Sequence, residues 1–367
     1  MTITCEKSKL LEGINIVLKA VPNKSTMEIL NCVVIEAKNN TIKFIANDLE
    51  IGIETIIEGN IAKEGLVAVS AKLFSEIIRK LPSGDVRIKE NDNYSLSISC
   101  GKAKFNIPAK PAEEFPFLPQ ISKEKKVVIS QFTLKEIIRQ TVFSISDNEN
   151  TKVMTGELLE IHGSELKIVS LDGHRISIRK IMLKNSYEDV SVIIPGKTLN
   201  EIVKILTGGR DDEVNVFFTD KHVLFEFGNT IVLSRLIEGE YYKIDRMLSS
   251  DYETKVTVNK REMLDCIDRT TLLIKESEKK PVIIDVKDDS IGFAINSSIG
   301  SMDEEIDAVK EGKDILIGFN PRFLIDALRV IDEEEITMYM INPKAPCFIR
   351  DKDEMYIYLI LPVNFNI

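Results

Sequence analysis

The fold of this 367-residue chain is indicated by one stretch, Ala71-Lys72-Leu73-Phe74-Ser75-Glu76-Ile77-Ile78-Arg79-Lys80-Leu81. Residues 196–206 and 321–331 repeat its pattern at intervals of 125 residues. Each stretch has a base at its second position, another base seven residues later, and four apolar residues at one shared spacing. Because an α-helix turns about 100° per residue, each stretch predicts a helix with an apolar face opposite a basic face. We therefore interpret the chain as an internal triplication.

The repeated bases have an ordinary explanation as well as a functional one. They are Lys72, Arg79, Lys197, Lys204, Arg322 and Arg329. Glu76, Glu201 and Asp326 lie between the bases at i,i+3 and i,i+4 spacing, where they would neutralise part of the charge. For one helix a solvated surface is the commoner explanation, but recurrence at three places favours a function.

Charge is segregated along the chain. The net charge is −10, yet the six predicted helices (7–20, 71–82, 131–144, 196–206, 259–275 and 320–331) together carry +8, which leaves −18 for the rest. An acidic protein with basic helices has one surface suited to a polyanion and another that repels it.

Composition excludes several classes of protein. With 44% hydrophobic and 29% charged residues, the chain is typical of a globular protein that can bury proper cores. Its apolar runs are strand-sized and its N-terminus lacks a signal-peptide core, so we expect a cytoplasmic protein without a membrane segment. The five cysteines (Cys5, Cys32, Cys100, Cys266 and Cys347) form no CxxC and are expected to be reduced thiols. Three scattered histidines and the absence of nucleotide-binding or hydrolase motifs predict no catalytic residues, no metal and no cofactor.

Strand patterns complete each repeat. Period-two alternation at 41–46, 165–170 and 290–295 predicts antiparallel strands, and more strands follow the second helix at 85–90, 94–100 and 102–107 and at 335–341, 345–350 and 355–361. The prediction is an α+β fold of three domains, 1–122, 123–250 and 251–367, each with two helices and about eight strands. Edge strands at the two ends of such a chain invite head-to-tail pairing with another copy, which closes into a ring.

Three motifs point to a known family. They are Leu171-Asp172-Gly173-His174-Arg175-Ile176, Arg235-Leu236-Ile237-Glu238-Gly239-Glu240-Tyr241-Tyr242 and the C-terminal Leu361-Pro362-Val363-Asn364-Phe365. Together with the triplication they make the whole chain resemble the bacterial DNA polymerase III beta subunits, the sliding clamps. The resemblance implies a non-catalytic processivity factor that forms a head-to-tail homodimeric ring, with helices lining the inside and sheets outside. The implied partners are encircled double-stranded DNA, the DNA polymerase III catalytic subunit, the clamp loader and other proteins with clamp-binding motifs.

The resemblance implies a set of DNA-contacting bases on the inner helices and nearby loops. They would bind phosphates without reading sequence, as sliding requires. The loop 147–152 departs from the family by being acidic and lacking aromatic residues. The expected bases are Lys24, Lys72, Arg79, Lys135, Arg139, Lys152, Lys197, Lys204, Arg269, Arg322 and Arg329.

A peptide-binding pocket is also implied, with His174 and Arg175 as polar groups at its rim. Tyr242 stands where relatives usually have proline and Asn364 where many have arginine, so the preferred peptide is open. Met154 and Leu171 are explained equally well as plain core. The implied pocket residues are Met154, Leu171, Gly173, His174, Arg175, Ile176, Tyr242, Met247, Leu359, Leu361, Pro362, Val363 and Asn364.

A dimer seam follows from the same resemblance. Basic residues on the first domain and acidic residues on the third suit head-to-tail closure. The implied residues are Lys102, Lys104, Phe105, Ile107, Leu272, Leu273, Asp303, Glu304 and Glu305.

Two other classes of function compete with a clamp. A non-encircling adaptor would use the pocket alone, with the helix bases serving solubility. A hydrolase would need an activity that disappears with His174→Ala, whereas in a clamp that change weakens only peptide binding.

Overall fold

The computed structural model describes residues 1–249, 251–275 and 280–365. The described helices are α1 (Lys7–Val17), α2 (Ala71–Lys80), α3 (Gln131–Arg139), α4 (Gly196–Ile205), α5 (Lys260–Thr271) and α6 (Pro321–Val330). The described strands are β1 (Thr2–Glu6), β2 (Cys32–Lys38), β3 (Thr41–Asn47), β4 (Ile51–Glu58), β5 (Asn60–Lys63), β6 (Gly65–Ser70), β7 (Asp85–Asn91), β8 (Ser95–Cys100), β9 (Ala103–Lys110), β10 (Lys126–Ser130), β11 (Gly156–Leu171), β12 (Arg175–Pro195), β13 (Glu213–Phe218), β14 (His222–Phe227), β15 (Thr230–Arg235), β16 (Thr254–Asn259), β17 (Val282–Val286), β18 (Ser290–Ser297), β19 (Gly300–Gly312), β20 (Ile315–Phe319), β21 (Glu335–Met340), β22 (Cys347–Arg350) and β23 (Tyr356–Ile360).

The chain divides into two compact units, each built on one sheet. The first unit comprises residues 1–133 and 201–236, with strand order β10-β13-β14-β15-β4-β3-β2-β6-β9-β8-β7-β1-β5. The second comprises 134–200 and the described part of 237–367, with strand order β11-β12-β23-β22-β21-β16-β19-β18-β17-β20. The division falls inside the central repeat, because β15 pairs antiparallel with β4 of the first repeat and β12 pairs antiparallel with β23 of the third.

The three repeated helices have the faces that the sequence predicts. In α2, Phe74, Ile77 and Ile78 are buried while the bases are exposed. The shared apolar positions of α4 and α6 are buried in the same way, except that Val203 is partly buried. Side chains preceding α2 and α6 each satisfy one of the first free N–H groups of the helix. Ser70 Oγ accepts from the Leu73 N–H at 3.5 Å, and Asn320 Oδ1 accepts from the Arg322 N–H at 3.1 Å.

Three predicted helices are too long. The one predicted over 7–20 ends at Val17 and is followed by a 3-10 turn over Leu18–Ala20. The helix predicted over 131–144 ends at Arg139, because Thr141 leaves helical geometry and its hydroxyl donates to the Ile137 carbonyl at 2.8 Å. A short 3-10 turn then covers Val142–Ser144. The helix predicted over 259–275 ends at Thr271. In the last two cases apolar residues beyond the true end continue the helical spacing, so periodicity alone does not show where the helix stops.

Strand counts differ from the expected eight in the first and central repeats. The first repeat has nine strands, and the central repeat has six because β11 and β12 are single strands of 16 and 21 residues. Their pairing is irregular around Gly163, where two shorter hairpin halves join. The third repeat has eight described strands, and α5 and α6 pack over them in one buried core.

Candidate functional site

A tight turn between β11 and β12 organises the groove that the sequence motif predicts. Asp172 Oδ1 accepts hydrogen bonds from the backbone N–H groups of His174 at 2.9 Å and Arg175 at 3.1 Å. Gly173 has φ +87°, a conformation that favours glycine. The turn leaves His174 exposed, with its ring stacked 6.1 Å from that of Phe323.

Arg175 is a buried anchor, which corrects its predicted place at the rim. Its guanidinium donates to Asp172 Oδ2 at 3.0 Å, to Asp326 Oδ2 at 2.7 Å and to the Phe143 carbonyl at 2.6 Å. It also lies 4.2 Å from the Phe323 ring centroid, a cation–π contact. Burial alone would lower the pKa of Arg175, but Tyr358 and the two carboxylates outweigh burial and raise it. Asp326, expected to neutralise bases on its own helix, therefore serves this anchor instead.

The C-terminal segment is tied to the same turn. The register of β12 and β23 sets Arg175 opposite Ile360 and Ile176 opposite Leu359. Beyond β23, the Leu361 N–H donates to the His174 carbonyl at 2.8 Å and the Val363 N–H donates to the Gly318 carbonyl at 2.8 Å. Asn366 and Ile367, the last two residues, lie outside the described residues.

An apolar cluster forms the floor beside this turn. Of the predicted pocket residues, Leu171, Ile176 and Leu359 belong to the cluster and Met154 packs against it. Leu171 is 5% exposed and is core, one of the two interpretations that the sequence left open. Around the cluster, four predicted apolar residues remain exposed: Tyr242, Met247, Leu361 and Val363. Gly173 and Asn364 are exposed as well, and Pro362 is half-buried.

Sequence reasoning missed several residues of the floor. Ile244 and Phe348 are buried members of the cluster, and Tyr241 and Leu248 pack against it. The sequence does contain a signal for three of these residues. In the segment after β15, large apolar side chains recur at Tyr241, Ile244 and Leu248, a spacing that indicates burial on one side. Burial and the neighbouring Glu157 raise the pKa of Tyr241, whose hydroxyl lies 3.3 Å from the carbonyl oxygens of Gly156 and Val169.

Glu157 is a buried acid behind this floor that the sequence did not single out. It is 1% exposed, and neither of its carboxylate oxygens has a hydrogen-bond partner among the described residues. Burial raises its pKa to about 8. The carboxyl is therefore mostly protonated at neutral pH.

The expected DNA-contacting bases divide into two groups. Five of them (Lys24, Lys72, Arg79, Lys152 and Arg322) are exposed and make no ion pair with any described residue. Others already have acidic partners: Arg139 with Glu136 and Asp332, Lys204 with Glu201, Arg269 with Glu304, and Arg329 with Asp268. Lys197 is exposed and Lys135 half-buried, and both have an interaction partner. The unpaired group carries the basic face most directly.

The predicted seam residues lie on one edge segment in each unit and at the end of α5. Within the described chain, residues 103–108 of β9 pair only with β8, and residues 300–307 of β19 pair only with β18. Phe105 is 40% exposed and Leu272 is 77% exposed, while Leu273 is half-buried. Lys102, Lys104, Asp303 and Glu305 are exposed, and Glu304 is half-buried. Ile107 is only 4% exposed, because it faces its own domain core.

Comparison with known proteins decides the family. The chain is 37% identical over 378 residues to the beta sliding clamp of Bacillus subtilis (strain 168), covering 99% of this chain and 100% of that protein. It is 33% identical over 375 residues to that of Staphylococcus aureus (strain Mu50), covering 99% of each. The chain belongs to the DNA polymerase III beta subunit family. The family's models match the N-terminal domain over residues 1–119, the central domain over 128–243 and the C-terminal domain over 245–364.

Solved structures of beta subunits have the same fold. A putative DNA polymerase III beta subunit from Eubacterium rectale is 59% identical with a TM-score of 0.95, and the sliding clamp of Bacillus subtilis is 35% identical with a TM-score of 0.95. Both matches cover 100% of both chains. The three-domain clamp fold predicted from sequence is therefore confirmed. Among the described residues, no helix has the length and apolar character needed to cross a membrane.

Proposed function

We propose that this beta subunit is a DNA polymerase processivity clamp. Two copies pair head to tail as a six-domain ring that encircles duplex DNA without sequence specificity, its helices inside and its sheets outside. We place the domains at 1–122, 123–250 and 251–367, close to the spans of the family models. As a sliding clamp it is a non-catalytic subunit.

The observation that carries this proposal is the repeated basic face. Exposed bases recur at one position of three amphipathic helices in a chain of net charge −10. Bases of this kind attract phosphates without reading base edges, so the DNA can slide past them. The groove beside His174 supplies the second half of the function. Its apolar floor, exposed Leu361 and exposed Met247 suit a short peptide motif of the polymerase, the clamp loader or another partner.

The test reverses three unpaired bases, Lys72, Arg79 and Arg322, to glutamate. After loading by its clamp loader, the variant should be retained on DNA several-fold less well and with a shallower salt dependence, because fewer phosphates are neutralised. Peptide binding should be unchanged. The matched control reverses Lys38, Lys184 and Lys352, exposed lysines outside the helices that make no ion pair with described residues. Equal retention of the two variants would favour an adaptor whose bases serve only solubility.

A further inference from the structure

A second groove lies in the first unit, where β4 of the first repeat pairs with β15 of the central repeat. It has a volume of about 180 Å³, and its lining includes Leu49, Phe117, Leu118, Pro119, His222 and Arg235. We call it the first-junction groove. None of these residues belongs to the DNA-contacting, peptide-binding or seam sets described above.

The turn at its edge carries an unexpected leucine. Asp48 Oδ1 accepts from the N–H groups of Glu50 at 3.0 Å and Ile51 at 2.8 Å, the same bonding that Asp172 makes in its own turn. Leu49 takes the place of Gly173, with φ +77° and 41% of its surface exposed. The turn requires this positive φ, which a glycine would adopt without strain, whereas a leucine is strained there. Because Leu49 also lines the first-junction groove, its exposed apolar side chain is available to a molecule bound there.

The rest of the groove is held in shape by contacts within the chain. Asn47 fixes the turn to the segment after β9: its Nδ2 donates to the Pro116 carbonyl at 2.7 Å, and its Oδ1 accepts from the Leu49 N–H at 2.8 Å. Leu118 lies so close to Gly52 that a Cβ there would be 2.7 Å from Leu118 Cγ. Phe117, 42% exposed, is held edge-on against Phe115 with ring centroids 5.7 Å apart. A preformed groove loses little entropy when it is filled.

One end of the groove is basic. Arg235 and His222 are directly opposed on β15 and β14, and Lys221 adjoins them. Arg235 and Lys221 are exposed and form no ion pair with any described residue. Burial, Arg235 and Lys221 together lower the pKa of His222, as expected where positive charges gather. Glu50 and Asp48 stand on the turn, and Asp48 is engaged in capping it.

We propose that the first-junction groove binds an extended peptide segment of a partner protein, with apolar side chains on Leu49, Phe117 and Leu118 and an acidic side chain on Arg235.

The internal repeat supports this assignment. The Arg235 N–H donates to the Glu50 carbonyl at 2.9 Å, as the Leu361 N–H donates to the His174 carbonyl at 2.8 Å. Leu233 opposes Leu224 on neighbouring strands as Leu359 opposes Phe348. The two grooves thus share one construction, but the first presents a base where the second presents Leu361. The first-junction groove therefore prefers peptides with an acidic residue, a preference that the groove beside His174 does not share.

The test selects a phage-displayed random heptapeptide library on the full chain and measures the enriched peptides by fluorescence polarisation. We expect a class of peptides that combines an acidic residue with apolar ones. These peptides should bind the Leu361→Asp variant as tightly as the unchanged protein. Their affinity should fall at least tenfold for the Leu49→Gly variant and for the Arg235→Gln variant. Leu49→Gly relieves strain, so its thermal midpoint should not fall. Tyr94→Gly is the matched control, since Tyr94 is also exposed with φ +45° but lies in the β7–β8 turn.

Three outcomes would overturn the proposal. One is enrichment only of peptides that Leu361→Asp abolishes. Another is a lack of enrichment, or affinities that Leu49→Gly and Arg235→Gln leave unchanged. The third is a change of oligomeric mass with Leu49→Gly in sedimentation, which would assign the groove to another copy of the chain. Retention of the unchanged protein on circular DNA tests the clamp function without altering the groove, so a failure here is distinguishable from a failure of the clamp function.

Discussion

At the scale of single residues, Arg175 shows how one buried cation holds a binding groove in place. It lies within a turn motif that the sequence identifies, but its partners Asp326 and Phe143 are distant in sequence. A pattern read along the chain could therefore predict the turn and not the anchor. In the structure its contacts bind the turn, helix α6 and the segment after α3 to one another.

Replacing Arg175 with methionine should lower the free energy of unfolding by about 3 kcal/mol, because two carboxylates lose the charge that compensates their burial. Peptide affinity should fall with it, since the turn that carries His174 loosens. Chemical denaturation monitors the first effect and fluorescence polarisation the second. Arg322→Met, at an exposed position, should cost less than about 0.5 kcal/mol. Equal stability of the two variants would contradict the anchoring role.

The buried Glu157 carboxyl makes the stability of the protein depend on pH in the direction opposite to that of most carboxyls. Burial raises its folded pKa to about 8, so its contribution to stability is complete below the unfolded pKa near 4.5 and is lost as pH rises towards 8. A shift of this size corresponds to at most roughly 5 kcal/mol. At pH 8.5 the free energy of unfolding of the Glu157→Gln variant should therefore exceed that of the unchanged protein by a few kcal/mol. At pH 4 the two values should be nearly equal.

The measurement is chemical denaturation of both proteins at half-unit intervals of pH, because their difference isolates this one group from all others. Glu165→Gln, at a half-buried carboxyl on the same strand, is the matched control. A Glu157→Gln profile that runs parallel to that of the unchanged protein would show that the buried carboxyl is not protonated as proposed.

At the scale of elements, the helices could be predicted because their pattern is local. The apolar spacing of residues 71–81 fixes which side of α2 packs, and the structure confirms it in α4 and α6. Helix ends were predicted less well. The end of α3 depends on the Thr141 hydroxyl bonding to a carbonyl one turn back, a competition that hydrophobic spacing does not reveal.

The predicted dimer seam joins the edge segments of β9 and β19 and includes the end of α5, where it can be tested. Leu272→Asp combined with Leu273→Asp should give monomers, because closure would bury two unpaired charges in an apolar contact. Mass measurement by sedimentation checks this at micromolar concentration. Met182→Asp, at a residue 63% exposed on β12, is the control and should remain dimeric. Dimers of the doubly substituted protein would refute the seam.

At the scale of the whole molecule, the triplication could be predicted from the sequence, but the pairing of strands from different repeats could not. Each repeat carries its own helix pattern, whereas the pairing of β15 with β4 and of β12 with β23 depends on strands from different repeats. That pairing puts Leu359 beside Ile176 and so creates the peptide groove. The groove's motif residues came from family resemblance, and its remaining floor required the structure.

The central claim is that the protein holds DNA by encircling it. The most direct measurement loads the protein onto a nicked circular plasmid and follows its retention before and after a single cut linearises the DNA. The account predicts stable retention on the circle and rapid loss from the linear molecule, because a ring slides off a free end. Equal retention on both would mean attachment by direct contact and would contradict the clamp mechanism.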